Sequence, residues 1–455
     1  MREVSKESFN KSLKVVIITF VFFSGFTVVK PYQDFGKSIL GIPTSFLLLA
    51  GVSSILLFFT FINKDNFFLN RHIVLILITV LAPLFFSSIV MLINSFNLGP
   101  YYMDYLKNDG IIRIISLLFF ISFFIMIIGN RFFYEKRFIN HVVIIYLIAI
   151  SFFAILGIWQ LLNFYFNIPF LNIETRSFVH SIDGSKSFFK YRLTSIAEEP
   201  SYLVPLLIDG MLLSLMYLHS NKKKLVVFLF IILMINLIFS FSVSGYLDAF
   251  ITFSLFNLIY IKKIKKLQFR KIKNSKLIWF LGTLFTIFIF VLIKFGFLKT
   301  LFAPVYNRIT DVSGITNSIR YYLAVKPFIW LTDFDWYNIL FGMGPNSFIY
   351  LSDIRYFPNG EYGHSTSTNL LTDVTFEMGI FGLFCIFILF GFLLTESYRN
   401  LLNKYSLISF MLIIHLIVSS LYRADFVSPR FWVLLLIIIF LNYLGSSEGE
   451  GERKV

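Results

Sequence analysis

Cysteine is nearly absent from this chain: Cys385 is the only one, and it lies in an apolar run. A single cysteine excludes a disulfide framework and a thiolate metal site within one chain. No His-Glu-x-x-His and no Cys-x-x-Cys pair occurs, so neither a protein-held metal nor a cofactor is expected. Charged residues are few, at 14%, while hydrophobic residues reach 57%, above the roughly 45–50% of soluble domains. The apolar run after the start lacks a small-residue cleavage site, so it reads as an uncleaved first span. No internal repeat is visible.

What is present is a series of apolar blocks, with a mean hydropathy of +0.79 for the whole chain. Each block is close to the ~20 residues that cross a hydrocarbon core. Twelve can be drawn, at 14–30, 38–62, 73–94, 111–129, 142–163, 201–219, 225–241, 245–261, 277–294, 369–394, 407–421 and 430–444. The expected fold is therefore all-α: one polytopic transmembrane domain over 1–455 with about twelve membrane-spanning helices. Phenylalanine is frequent, at 60 residues, and no mechanism is drawn from it.

The formal charge is +15. In a soluble protein a pI near 9.6 would suggest nucleic acid. Here it reflects lysine and arginine held on the cytoplasmic side, and no nucleic acid is expected. One set of connections is short and basic: Lys64/Arg71, Arg131/Lys136/Arg137, Lys222–Lys224, the run from Lys262 to Lys276, and Arg399/Lys404. These are read as cytoplasmic, and an even number of spans puts both termini there. The alternate set contains two long loops, 164–200 and 295–368, read as lying outside the cytoplasm. Loops of such length are usually functional. Within the second, Asn317–Trp330 has Ile319, Tyr322, Leu323, Lys326 and Trp330 at helical spacing, with Pro327 as a kink. The tail 445–455, rich in Ser, Gly and Glu, reads as disordered and cytoplasmic.

Residues able to carry chemistry collect in or beside the long loops. Arg192 precedes Glu198-Glu199-Pro200-Ser201, where the chain re-enters the bilayer. Proline suits the first turn of a helix and glutamate its N-terminus, so an interfacial anchor is the plain explanation. The second loop supplies Arg308 and Arg320, then Phe341-Gly342-Met343-Gly344, then His364 and Asn369. Arginine grips phosphate oxygens at two points, and a histidine exchanges protons near neutrality. Lipid-headgroup contacts and a solvated loop histidine explain the same residues equally simply. Gly342-x-Gly344 follows no strand, so it is no dinucleotide fingerprint; a tight turn on the membrane surface suffices. Asp373 and Glu377 share a helix face, and Gly379 and Gly382 permit close helix approach. Asp209 and Asp248 are further intramembrane acids, with Arg113 a candidate partner.

The segment 192–201, followed by Arg308, Arg320, Phe-Gly-x-Gly at 341–344 and Glu377-x-Gly379-x-x-Gly382, resembles the O-antigen polymerase (Wzy) family and its relatives, the O-antigen ligases. The resemblance covers about 190–390. It implies a bacterial inner-membrane glycosyltransferase of the multi-span, GT-C-like kind. Such an enzyme moves a growing glycan from undecaprenyl pyrophosphate onto a lipid-linked repeat unit at the periplasmic face, without metal or nucleotide sugar and with inversion. Its partners would be membrane lipids, a flippase and a chain-length regulator. In that reading Arg192, Arg308 and Arg320 hold the pyrophosphate and His364, Glu198 and Glu199 are candidates for the base. Asn369, Asp373 and Glu377 support them. The ligase pattern wants a histidine at the place of Thr368, which favours polymerase over ligase. A lipid-linked-oligosaccharide flippase or other transporter is the alternative from another class, kept open by Asp209 and Asp248.

Overall fold

The computed structural model describes residues 2–40, 42–62, 67–173, 175, 192–218, 223–266, 319–355, 367–401 and 403–452. In lipid a backbone must satisfy its own hydrogen bonds, and a helix does so within one segment. The apolar blocks accordingly form helices: α1 (Arg2–Ser24), α2 (Lys30–Leu40), α3 (Thr44–Ile62), α4 (Arg71–Ile76), α5 (Ala82–Asn97), α6 (Pro100–Tyr105), α7 (Ile111–Ile128), α8 (Lys136–Phe166), α9 (Pro200–Leu215), α10 (Lys223–Phe239) and α11 (Val243–Lys266). Later come α12 (Ile319–Trp330), α13 (Trp336–Phe341), α14 (Phe348–Ile354), α15 (Leu370–Arg399), α16 (Lys404–Ser420) and α17 (Pro429–Glu452). Single π-helical turns at Leu77–Leu81 and Leu106–Gly110 join α4 to α5 and α6 to α7.

Among the described residues, seven helices are long and apolar enough to cross a membrane: Lys11–Val28, Thr44–Ile62, Arg71–Asn97, Pro100–Ile128, Lys136–Phe166, Leu370–Arg399 and Pro429–Ser447. Shorter apolar helices cover Pro200–Leu215, Ser244–Ile259 and Lys404–Ser420. Every expected block overlaps described helices except 277–294, which lies outside the described residues; block 38–62 straddles the break between α2 and α3. The last span is 83% buried against 28% for Thr44–Ile62, so α17 runs through the middle of the bundle and α3 lies on its rim. α16 packs on α17, α15, α9 and α11, and α8 packs on α1, α9 and α10.

Three of the basic connections, at Arg71, Arg131–Arg137 and Arg399–Lys404, meet at one end. The Phe68 N–H donates to Gly129 O at 2.8 Å and Asn70 Nδ2 to Ile128 O at 2.6 Å. There, too, Glu396 takes Arg71 and, at 2.9 Å, His72. The disordered tail expected from residue 445 is displaced at its start. α17 continues to Glu452, Gly445 fits closely against Ser406, and Asn400 Nδ2 donates to Ser446 Oγ at 3.2 Å. At the opposite end the second long loop is structured in its described part: α12 forms over the expected helical stretch with Pro327 inside it, followed by α13 and α14.

Candidate functional site

Two polar assemblies occupy the end opposite the basic connections. The first is built where α15 breaks. Gly379 has φ +70 inside that helix, a conformation L side chains rarely adopt. A break of this kind strips intrahelical donors from the carbonyls just before it, and in lipid those carbonyls need new ones. The segment after α13 supplies them. The Met343 N–H donates to Phe376 O at 2.9 Å and the Gly344 N–H to Glu377 O at 3.2 Å; Ser87 Oγ donates to Glu377 O at 2.5 Å. The approach is so close that a Cβ on Gly342 would stand 2.2 Å from Glu377 O, and one on Gly379 would stand 2.2 Å from Leu340 O. Tyr102 donates its hydroxyl to Met343 O and Tyr105 donates its own to Pro345 O, the latter at 2.6 Å. The Phe-Gly-x-Gly segment is thus no turn on the membrane surface; it caps a broken helix from within the protein.

The side chains around this break are charged and buried. Glu377 Oε1 takes Arg113 NH2 at 3.0 Å, so Arg113 partners Glu377 rather than Asp209 or Asp248. Asp373, one turn earlier and 2% exposed, accepts the Ser367 N–H at 2.8 Å. Asn369 is the N-cap of α15, its Oδ1 accepting from the Leu371 and Thr372 N–H groups at 2.9 and 3.4 Å. Thr372 Oγ1 donates to Ala324 O at 2.8 Å, which brings α12, with Arg320 in its first turn, against the start of α15. Tyr350, on α14, packs its ring on Tyr102 and Tyr105 at centroid distances of 5.0 and 6.2 Å. Burial raises the pKa of its phenol, so it stays protonated.

The second assembly starts from the re-entry segment. Thr194 and Ser195 donate their N–H groups to Gln160 Oε1 at 2.9 and 2.8 Å, and Ser195 Oγ donates to Phe153 O at 2.7 Å. The Leu193 N–H donates to Phe239 O at 2.8 Å and that of Glu198 to Val28 O at 3.0 Å. The segment is therefore built into the bundle, which goes beyond an interfacial anchor. Arg192 is half-buried within electrostatic range of Tyr246. Glu198 and Glu199 are half-buried, and Glu199 stands at the N-cap of α9 with Ser201 Oγ donating to its Oε2 at 3.1 Å.

Beneath it lies a network of which the sequence showed only Asp209 and Asp248. Arg430, fully buried at the start of α17, grips Asp209 with Nε at 2.9 Å and NH2 at 3.1 Å, and Asp425 with NH1 at 2.9 Å. His415, also 0% exposed, lies 2.9 Å from Asp248 by Nδ1 and 3.2 Å from Asp209 by Nε2. Tyr146 donates to Asp209 at 2.9 Å and Tyr422 to Asp248 at 2.8 Å. Arg423 reaches Asp425 at 2.7 Å and Tyr202 O at 3.0 Å, with its guanidinium 4.6 Å from the Tyr202 ring centre. The available signal was an arginine and a histidine at or within apolar runs, since ionisable residues there are rare and usually face a protein interior.

The structure brings Asn369, Asp373, Glu377 and the α12 backbone carrying Arg320 into one assembly. It gathers Arg192, Glu198 and Glu199 at the edge of the other. Arg308 and His364 lie outside the described residues. Among the described residues no group of three or more His, Cys, Asp and Glu is placed to hold a metal ion. No protein-family model matches this chain, and no curated protein matches it.

Proposed function

We propose that this chain is a surface-polysaccharide polymerase of the Wzy kind. It would span the bacterial inner membrane about twelve times with both termini in the cytoplasm. It would transfer a growing glycan from undecaprenyl pyrophosphate to a lipid-linked repeat unit at the periplasmic face. The observation that carries this reading is the contact between Phe341-Gly342-Met343-Gly344 and the break at Glu377-Met378-Gly379. Two motif pieces that only their order linked in the sequence interlock in space. They do so beside a buried Arg113–Glu377 pair and the helix that carries Arg320.

In this reaction the acceptor hydroxyl attacks the anomeric carbon and the bond to the pyrophosphate oxygen breaks with inversion. The acceptor's proton leaves to a base, for which His364, Glu198 and Glu199 are the candidates. Negative charge grows on the departing pyrophosphate. Arg192, Arg308 and Arg320 are assigned to meet it, and one preorganised donor of this kind is worth about 3–4 kcal/mol of barrier. Arg192→Ala and Arg320→Ala should insert and accumulate normally yet lower long-chain polymer by at least about a hundredfold, read as the glycan ladder of a complemented deletion strain. Normal chain lengths in both variants would remove the pyrophosphate role.

The buried network supports a second reading, a transporter of lipid-linked oligosaccharide. Asp209 follows Pro200, the first residue of α9, by nine positions, a depth of roughly 13–14 Å at ~1.5 Å per residue. That approaches the middle of a ~30 Å core, where transporters place their sites. The deletion strain separates the two: single repeat units on the cell surface follow loss of a polymerase, and none reach it after loss of a transporter.

A further inference from the structure

The atoms around His415 have an unusual property: one ring nitrogen faces both donors and acceptors. Nδ1 is committed, 2.9 Å from Asp248 Oδ1. Nε2 lies 3.2 Å from Pro205 O and 3.2 Å from Asp209 Oδ1, both acceptors, and 3.1 Å from Arg430 NH2, a donor. With a proton on Nε2 the ring donates to Asp209 and Pro205. Without it the ring accepts from Arg430. Both states are satisfied by groups already in place, which is rare for a side chain that is 0% exposed.

Charge decides which state rests. Within the hydrogen-bonded set, Asp209, Asp248 and Asp425 oppose Arg430 and Arg423. Three carboxylates against two guanidinium groups leave one negative charge in a dry interior, where uncompensated charge is expensive. An imidazolium at His415 cancels it. The groups facing His415 come from every element packed around it. α9 contributes Asp209, α11 contributes Asp248 and Thr252, α8 contributes Tyr146 and α17 contributes Arg430. The 421–428 turn adds Tyr422, Arg423 and Asp425. α15 also packs on α16, but there it presents Ser397 to Ser409 at 3.0 Å; its three acids are engaged elsewhere, Asp373 by the Ser367 N–H, Glu377 by Arg113 and Glu396 by Arg71 and His72.

We propose that His415 is a proton-binding site and that its occupancy is transmitted to the mouth of the bundle. When the Nε2 proton leaves for solvent, Arg430 NH2 gains a second acceptor and the network becomes negative. When it returns, the N–H of Nε2 and Arg430 NH2 oppose one another and the guanidinium must adjust. Arg430 shares Asp425 with Arg423, and Arg423 rests on Tyr202, three positions after Glu199. The path from buried proton to re-entry segment is thus His415, Arg430, Asp425, Arg423, Tyr202. This inference is independent of whether the chain moves or polymerises a glycan.

The test uses the full chain in lipid nanodiscs. Histidine-selective nitrogen NMR reads the protonation of His415, assigned by its loss in His415→Gln and by its shift in Asp248→Asn. The second assignment serves if the glutamine variant does not fold. In parallel, Ala424→Cys in a Cys385→Ser background reports access to the 421–428 turn by its rate of thiol labelling. At neutral pH both ring nitrogens of His415 should carry protons. Raising the pH should remove the one on Nε2, and the labelling rate, taken relative to that of a free thiol at the same pH, should change severalfold in step. His415→Gln should leave only the pH dependence of a free thiol, set by its own thiolate fraction. A single neutral tautomer at every pH overturns the site, and labelling that ignores a titrating His415 overturns its link to the mouth.

Discussion

At the residue scale the decisive groups are a few buried ions, and how each is satisfied explains where it sits. Arg430 meets Asp209 through two nitrogens and Asp425 through a third, the fork geometry that lysine lacks. Removing it leaves two buried carboxylates without their main counter-charge. Arg430→Ala should therefore destabilise the fold by about 3–5 kcal/mol, with Arg430→Lys only partly restoring it. Thermal unfolding in detergent checks this, and an unchanged transition would mean that the network does not hold these helices. Sequence reasoning found two of the three acids of this network, Asp209 and Asp248, because a carboxylate inside an apolar run stands out; Asp425, beyond the run, it did not. It did not find their partners. Arg430 follows Pro429 at the edge of a run, where arginine ordinarily flanks a span, and His415 reads as one polar residue in a greasy helix. Pairing is set by helix order around the bundle, which lies outside any local pattern. For the same reason sequence could name Arg113 as a candidate partner for the intramembrane acids without pairing it; it belongs to Glu377.

At the scale of elements, the broken helix α15 and the segment that caps it form the least ordinary feature. Gly342 and Gly379 combine positive φ with backbone atoms 2.2 Å from where a Cβ would stand, whereas Gly391, in the same helix, has nothing within 4 Å. Gly342→Ala and Gly379→Ala should each cost at least about 1–3 kcal/mol from backbone strain alone. Gly391→Ala should be neutral or slightly stabilising, because alanine favours helix by up to ~1 kcal/mol. Unfolding transitions of the three variants give the comparison, and equal effects would show that the contact is dispensable. The sequence made part of this visible. Helical spacing placed α12 within a residue or two, and the small residues at 379 and 382 were legible as sites of close packing. The partner of that packing was not, since a Gly-x-Gly looks the same on a membrane surface as it does against a helix break.

At the scale of the whole molecule, length and apolarity made the apolar helices legible, while the number that crosses rests on more than composition. Among the described residues, seven helices meet the length and hydropathy needed. α9 and α16 are shorter and crowded with polar contacts, as in Asp209 and His415, because they build the interior network rather than face lipid. The two ends differ in kind: three basic connections tie together at one, and both polar assemblies collect toward the other. That asymmetry suits an enzyme whose lipid-linked substrates approach from one leaflet. The most direct test is reconstitution of the purified chain in proteoliposomes with an undecaprenyl-pyrophosphate-linked repeat unit, in chelator and without nucleotide sugar. The account expects a ladder of lengthened glycans with release of undecaprenyl pyrophosphate, abolished by Arg320→Ala. Donor that stays unconsumed, or that merely crosses to the other leaflet intact, would contradict it.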